Sequence, residues 1–186
     1  MYYVDSNVLI SYVFSTSEPY HTASQHFLED LALGRGQKLY ASSLTLVEAC
    51  NAICRRIVRE GSKLIDPLQR YVDLYRDVKD KCRFLTSLII GFLMERLGIE
   101  FIDDESLYRF EPVNIDGMRI PKIFREALEL SYKINLRVKD LLHIVYAYTL
   151  SNIYGIKFFL THDIEDFERV KEEVKRLLRI EIILVK

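Results

Sequence analysis

The sequence lacks a hydrophobic run long enough to span a membrane. Its most apolar stretch, residues 84–94, ends at Glu95 and Arg96, well short of the roughly 20 residues that a membrane-spanning helix requires. Asp5 interrupts the first apolar run of the chain, so no signal peptide is predicted. We therefore expect no membrane association, and we expect residues 84–94 to form a buried or dimer-interface helix.

Cysteine is scarce. The three cysteines are Cys50, Cys54 and Cys82, and none of them lies in a C-x-x-C motif. Cys50 and Cys54 are one helical turn apart, and no fourth ligand lies at a suitable spacing for zinc, so both are interpreted as small buried hydrophobic residues. This pattern is typical of a reducing compartment and predicts a cytoplasmic location.

A large excess of one charge is absent as well. The chain has 26 Lys and Arg residues against 27 Asp and Glu residues, which gives a formal net charge of -1. This balance argues against a polybasic coat for nucleic acid, but it is compatible with an enzyme that has an acidic pocket and a basic rim. With 186 residues, 49% of them hydrophobic, the chain is long enough to bury a core as one domain over residues 1–186. No repeat or linker divides it.

Short apolar strands alternate with helices along the chain. Helices are predicted at residues 8–13, 21–33, 44–60, 79–97, 121–134, 138–154 and 167–178, and another is predicted to start at Asp66. Strands are predicted at residues 2–4, 38–41, 99–102, 157–160 and 181–185, and residues 103–118 are predicted to form a loop. This alternation predicts an α/β fold in which helices cover both faces of a mostly parallel sheet.

Four carboxylates lie where stability alone would not place them. Asp5 and Asp163 each follow an apolar strand, whereas Glu48 and Asp140 lie on apolar helical stretches. Because open parallel sheets bind ligands at the carboxyl ends of their strands, we expect these side chains to meet in one acidic pocket. Clustered carboxylates need a counter-ion, and Mg²⁺ prefers such oxygen ligands. The sequence therefore indicates metal-assisted hydrolysis of a phosphodiester.

Taken singly, each carboxylate has an ordinary structural explanation. Asp5 could cap a helix and Asp163 could form a turn. Asp140 could complement the unpaired N–H groups at the start of its helix, and Glu48 could be a partly exposed helix residue. Only the four together favour a metal site.

The four carboxylates lie in motifs that resemble those of PIN domains, a family that includes the VapC-type toxins of bacterial and archaeal toxin–antitoxin pairs. The motifs come in the family's order and together span nearly the whole chain: DSNVLI at 5–10, SLTLVE at 43–48, KDLLHIVYA at 139–147 and FLTHD at 159–163. The resemblance implies a three-layer α/β/α sandwich and a nuclease that uses Mg²⁺ or Mn²⁺, usually on RNA.

The resemblance also implies roles for individual residues. The catalytic, metal-binding carboxylates would be Asp5, Glu48, Asp140 and Asp163. Residues that match positions supporting such a site are Ser6, Asn7, Thr161 and a further acidic residue, for which Asp166 is preferred over Glu165. His143 lies three residues after Asp140 and is expected to bond a carboxylate, with a role in catalysis or metal binding as the alternative.

The chain departs from compact toxins of the family in one respect. Glu48 and Asp140 are further apart in sequence, and we assign the additional residues to a helical insertion at approximately 76–118. This insertion leaves room for a dimer surface. The apolar side chains that would form it are Leu85, Leu88, Ile89, Phe92 and Leu93.

A basic stretch continues the helix that carries Glu48. Arg55, Arg56 and Arg59 are predicted to contact RNA phosphates, and a solvated helix face is the alternative. The leading functional hypothesis is a metal-dependent endoribonuclease, either a toxin bound by an antitoxin or an RNA-processing enzyme. The rivals are a non-catalytic module that binds RNA or protein, and a phosphoacceptor domain. Lys157 begins its predicted strand and therefore lies at the wrong edge for the phosphoacceptor.

Overall fold

The computed structural model describes residues 1–15, 18–113 and 117–186. Its strands, numbered in chain order, are β1 (Tyr2–Val4), β2 (Leu39–Ala41), β3 (Ile99–Phe101), β4 (Phe110–Pro112), β5 (Arg119–Pro121), β6 (Phe158–Thr161) and β7 (Glu181–Leu184). Its α-helices are α1 (Ser6–Val13), α2 (His21–Glu29), α3 (Ser43–Arg59), α4 (Asp66–Gln69), α5 (Val78–Leu97), α6 (Lys122–Ser131), α7 (Val138–Tyr154), α8 (Ile164–Phe167) and α9 (Lys171–Leu178).

Five parallel strands form the central sheet in the order β3-β2-β1-β6-β7. The chain runs outward from β1 through β2 to β3 on one side, and later returns to place β6 against the other side of β1. The order of the strands therefore reverses between β1 and β6. This is the position at which open parallel sheets bind ligands, beyond the carboxyl ends of the strands.

Side chains of each strand alternate between two apolar layers. Val4 and Leu160 pack against α1, α2, α3 and α5 on one face, while Tyr3 and Phe159 pack against α6, α7 and α9 on the other. All four side chains are 0% exposed. Because both faces are covered by helices, the predicted α/β/α sandwich with a mostly parallel sheet is confirmed.

The two long helices that carry predicted site residues begin and end as the sequence indicates. Ser42 caps α3 by accepting a hydrogen bond from the backbone N–H of Thr45 at 3.2 Å. Ala49, Ile53 and Ile57 recur at helical spacing and are buried, which leaves the opposite face of α3 for polar residues. Gly155 ends α7 with φ 71°, a left-handed conformation that favours glycine.

The apolar helix α5 lies against the body of the protein. Leu85, Ile89 and Leu93 are 1%, 0% and 1% exposed, and Leu88 and Phe92 are half-buried against the same core. The prediction of a buried helix is therefore confirmed. The prediction that this stripe forms a dimer surface is wrong, because most of its apolar area is already covered within one chain.

The stretch predicted as an insertion contributes to the central architecture. Residues 76–118 include α5 and the edge strand β3, and Ile99 is buried in the core. Its definition as an insertion remains a prediction. Among the described residues, no helix is both long enough and apolar enough to cross a membrane.

Several predicted elements differ in detail. Within 103–118, predicted as a loop, Glu105–Tyr108 form a 3-10 helix and β4 pairs antiparallel with β5. Residues 114–116 of that loop lie outside the described residues, as do residues 16–17 of the predicted break after α1. Strands of three residues are too short to show a period, which is why this hairpin was missed. The predicted helix 167–178 is α8 and α9 separated by a turn, and 21–33 changes to a π-helix at Asp30–Gly34.

The interpretation of the cysteines needs correction. Cys54 on α3 and Cys82 on α5 form a disulfide with a Cα–Cα distance of 5.1 Å, and Cys50 is a half-buried free thiol. The two bonded residues are 28 positions apart, and only the packing of α5 on α3 brings them together. Sequence spacing does not contain that information. The cytoplasmic location remains a prediction, now without support from cysteine usage.

Candidate metal centre

Asp5 lies where the strand order of the sheet reverses. It follows β1 directly and precedes α1, yet its side chain makes no capping hydrogen bond to that helix. Instead, Asp5 Oδ2 accepts a hydrogen bond from Thr161 Oγ1 at 2.8 Å, and its backbone N–H donates to the carbonyl of Leu160 at 2.9 Å. Both partners belong to β6. Asp5 therefore occupies the N-cap position of α1, but its side chain is directed to β6 and does not cap the helix.

Asp5, Glu48 and His143 form one group of candidate ligands, called here the Glu48 group, whose ligand atoms lie within 4.8 Å of one another. Glu48 Oε2 accepts hydrogen bonds from Ser6 Oγ at 2.7 Å and His143 Nε2 at 2.9 Å. Lys139 Nζ lies 3.2 Å from Glu48 Oε1, and His143 Nε2 lies 3.4 Å from Asp5 Oδ1. The carboxylates of this group therefore already have cationic partners.

The pKa values of the Glu48 group reflect this pairing. Burial raises the pKa of Glu48, but His143, Ser6 and Lys139 outweigh burial and lower it to about 2. Burial lowers the pKa of His143, and the neighbouring Asp5 and Glu48 outweigh it and raise that pKa. The group therefore combines an ionised Glu48 with a ring that favours its protonated form.

A buried tyrosine holds His143 in place. Tyr3 Oη lies 3.0 Å from His143 Nδ1, 2.7 Å from Ser42 Oγ and 3.1 Å from Thr45 Oγ1. Tyr3, His143, Ser42 and Thr45 are each 0% exposed. Because Tyr3 satisfies Nδ1, the other ring nitrogen of His143 faces Glu48 and Asp5. The expectation that His143 bonds a carboxylate is confirmed.

A second group, called here the Asp140 group, contains Asp140, Asp163 and Asp166, whose ligand atoms also lie within 4.8 Å of one another. Asp163 caps the short helix α8, since its Oδ1 accepts a hydrogen bond from the N–H of Asp166 at 3.1 Å. Asp166 is buried and contacts Arg137 at 3.3 Å and Arg169 at 3.2 Å. Asp166 rather than Glu165 joins this group, as the sequence favoured.

Asp140 differs from the other carboxylates of the site. It lies in the first turn of α7 and is 7% exposed, yet among the described residues it accepts no hydrogen bond and forms no ion pair. Burial, followed by repulsion from Asp163, Asp5 and Asp166, raises the pKa of Asp140 to about 6. Because the charge of Asp5 contributes to the raised pKa of Asp140, the two groups lie close to each other. A buried, repelled and unpartnered carboxylate gains strongly from a nearby cation.

The predicted supporting residues connect the ends of β1 and β6. Asn7 Nδ2 donates to Thr161 Oγ1 at 3.1 Å, and Asn7 Oδ1 accepts from the backbone N–H of His162 at 3.1 Å. The backbone N–H of Asp163 donates to Thr161 Oγ1 at 3.1 Å. These hydrogen bonds hold Asp163 beside the strand that carries Asp5.

An open cleft of about 540 Å³ extends from the acidic residues. Glu48 and Asp163 line one part of it, and Arg55 and Arg56 line another. Arg55 lies 3.3 Å from Glu60 and is half-exposed, while Arg56 pairs with Glu18 and lies over the ring of Phe14. Arg59, the last residue of α3, does not line the cleft. Only two of the three predicted RNA contacts therefore face the site.

Sequence reasoning missed three residues of the site, which are Lys139, Arg137 and Arg169. Lys139 carried a signal, because it immediately precedes Asp140 in the first turn of the same helix. Nothing in the sequence distinguishes Arg137 and Arg169 from surface arginines, since their contact with Asp166 depends on how the turn after β6 meets α7.

Comparisons with known proteins identify the family of this chain and a solved structure with a similar fold. The family model for the PIN domain matches residues 2–173. A solved chain from VapBC2 of Rickettsia felis, bound to a DNA fragment from their promoter, is similar with a TM-score of 0.52 and 15% sequence identity. That similarity covers 100% of this chain and 98% of the solved chain. No curated protein matches this sequence. Since the family model covers nearly the whole chain, this protein belongs to the PIN domain family.

Proposed function

We propose that this protein is a metal-dependent endoribonuclease that hydrolyses RNA phosphodiester bonds. The observation that carries the proposal is Asp140, a buried carboxylate with a raised pKa beside Asp163 and Asp166. Electrostatic repulsion within such a cluster is unfavourable, and a bound cation would reduce it. PIN domains are generally nucleases and typically use divalent metals, which supports the same conclusion.

The donor set fits Mg²⁺ or Mn²⁺. The Asp140 group offers only carboxylate oxygens, which hard divalent cations prefer. Asp140 and Asp163 would hold the ion, while Asp166 is partly engaged by Arg137 and Arg169. Asp5 and Glu48 would complete this site or form a second one. The chemistry that such an ion supplies is a lower pKa of bound water and neutralisation of charge on the phosphate.

The chain's own residues would prepare the site for RNA. His143 and Lys139 keep Glu48 ionised and fix its position, because each contacts one of its oxygens. Arg55 and Arg56 would bind phosphates of the substrate in the cleft. Their present partners, Glu60 and Glu18, would be displaced or shared when a phosphate approaches.

The biological form that we favour is the toxin of a toxin–antitoxin pair. The support is the similarity of fold to VapBC2 over the whole chain, and the proposal implies an antitoxin as partner. A homodimer and a cytoplasmic location remain predictions. An RNA-processing enzyme unrelated to toxins would have the same site. A non-catalytic binding module would have no need of a buried Asp140 that neighbouring carboxylates repel.

The proposal is tested by incubating a pool of structured RNAs with the protein in Mg²⁺, Mn²⁺ or EDTA. The Asp5→Asn variant keeps the shape of the side chain but removes its charge, so we expect cleavage by the wild type in metal and none by the variant. Asp73→Asn is the matched control, since the Asp73 side chain is 95% exposed. Equal cleavage by Asp5→Asn, or cleavage that persists in EDTA, would contradict the proposal.

A further inference from the structure

Tyr20 presents an aromatic ring on a rigid support within the cleft. The rings of Tyr20 and His162 are stacked, with centroids 4.5 Å apart and an angle of 15° between their planes. His162 is 6% exposed and is held from both nitrogens, because Ser24 Oγ lies 2.6 Å from Nε2 and the carbonyl of Val185 lies 2.7 Å from Nδ1. Tyr20 is therefore fixed from beneath by a ring that cannot rotate freely.

The remaining surface of Tyr20 is accessible. The residue is 36% exposed and lines the cleft. Among the described residues, its hydroxyl forms no hydrogen bond. A tyrosine that served only the core would bury its ring and satisfy its hydroxyl, as Tyr3 does. Unlike Tyr3, Tyr20 therefore keeps part of its surface accessible from the cleft.

The surroundings of Tyr20 identify the chemistry of that contact. His162 beneath the ring is followed immediately by Asp163 of the Asp140 group. Arg55 and Arg56 line the same cleft and offer positive charge to a phosphate backbone. Acidic residues, guanidinium groups and an accessible aromatic face in one cleft match the requirements of a nucleotide: phosphate contacts together with a stacking surface for a base.

We propose that Tyr20 is a stacking platform for an unpaired base of the RNA that the cleft binds. This inference rests on the proposed ribonuclease function and assigns to it a residue that contacts the base. Bases within a duplex are covered on both faces by neighbouring pairs, and only an unstacked base can lie against the tyrosine ring. The platform carries no sequence preference of its own, because every base has a π-face.

The test is binding rather than cleavage. A short single-stranded RNA that contains one 2-aminopurine is titrated with the protein in EDTA, and its fluorescence and dissociation constant are recorded. Stacking on Tyr20 quenches the fluorophore. We expect Tyr20→Leu to weaken binding about 10-fold, the range measured when a stacking aromatic is removed, and to abolish the quenching. Tyr20→Phe keeps the ring and should behave as the wild type.

Two controls separate the platform from a general loss of structure or affinity. Tyr132→Leu removes a tyrosine that is 79% exposed and does not line the cleft, and it should leave binding unchanged. The same RNA annealed to its complement should show no further change in fluorescence when protein is added, because its 2-aminopurine is already stacked between neighbouring bases. Thermal unfolding of each variant shows whether it is folded.

The platform would be overturned by wild-type affinity and quenching in Tyr20→Leu, by equal loss in Tyr132→Leu, or by no binding of single-stranded RNA to the wild type. None of these results depends on cleavage. The nuclease proposal would still be decided by the Asp5→Asn assay, so the two proposals can fail separately.

Discussion

The pKa values of two carboxylates of the site are shifted in opposite directions, although both carboxylates lie on long helices, α3 and α7. Glu48 has a pKa of about 2, because His143, Ser6 and Lys139 outweigh its burial. Asp140 has a pKa of about 6, because its burial is reinforced by Asp163, Asp5 and Asp166. The difference lies in the partners that each carboxylate contacts. Cationic partners therefore stabilise the ionised form of Glu48, whereas the surroundings of Asp140 favour its protonated form.

The raised pKa of Asp140 makes the free energy of unfolding decrease as the pH rises. Its folded-state pKa lies above the ordinary value of 3.8, so folding favours the protonated form. In the absence of metal, the folded state loses stability as the pH rises from about 4 to 6, by up to about 3 kcal/mol. Asp140→Asn removes this loss. We expect the variant to unfold at a higher temperature than the wild type at pH 8 in EDTA, and at a similar temperature at pH 4.

Thermal unfolding of wild type and Asp140→Asn from pH 4 to 8 provides the measurement. Asp73→Asn, an equivalent substitution on the surface, should give no pH-dependent difference. A stabilisation by Asp140→Asn that is the same at pH 4 and pH 8 would show that the charge of Asp140 is not its cause.

At the scale of elements, α3 connects the site to the rest of the fold. It carries Glu48 and the arginines of the cleft, packs on the core through Ala49 and Ile53, and is joined to α5 by the disulfide between Cys54 and Cys82. The disulfide therefore restrains a helix that positions site residues, although neither cysteine contacts the site.

Removing this disulfide should reduce stability more than any surface substitution. For a closed loop of this size, the loss expected from unfolded-chain entropy is about 3.6 kcal/mol. We expect the double variant Cys54→Ser/Cys82→Ser to unfold at a clearly lower denaturant concentration than the wild type. The reference variant is Cys50→Ser, which removes only the free thiol. Titration of three reactive thiols in the unreduced, denatured wild type would contradict the assignment of the disulfide.

Features that depend on neighbouring residues could be predicted from the sequence, whereas contacts between distant elements could not. Asp5 and Asp163 were placed correctly, because apolar strands and the residues that end them are local features. Features that depend on how distant elements pack were missed: the disulfide, the hairpin of β4 and β5, and the contact of Arg137 with Asp166. The stripe on α5 was misassigned for the same reason. A sequence shows that a helix face is apolar, but not which surface covers it.

At the scale of the whole molecule, positive and negative charges are balanced. Affinity for RNA must therefore come from cationic groups near the site. With a formal net charge of -1, the protein offers no general attraction to nucleic acid. Binding should therefore depend on salt only through the few cationic groups in the cleft. Each phosphate neutralised on a single strand contributes about 0.7 to the slope of log affinity against log salt concentration.

Arg55→Gln should weaken binding of single-stranded RNA and reduce this slope by about 0.7. Arg59→Gln is the matched control, because it removes the same charge from the same helix outside the cleft. The slope is obtained by fluorescence anisotropy at a series of salt concentrations. An equal reduction in both variants would mean that the arginines act through overall charge rather than through contacts in the cleft.

The central claim is that the acidic residues at the junction of β1 and β6 hold a divalent cation. The most direct measurement is calorimetric titration of the protein with Mn²⁺ at pH 7.5, without RNA. We predict saturable binding by the wild type and by Asp73→Asn, and binding at least about 10-fold weaker in Asp140→Asn, because that variant loses a buried carboxylate that neighbouring carboxylates repel. Binding of equal affinity and stoichiometry in Asp140→Asn would contradict the account.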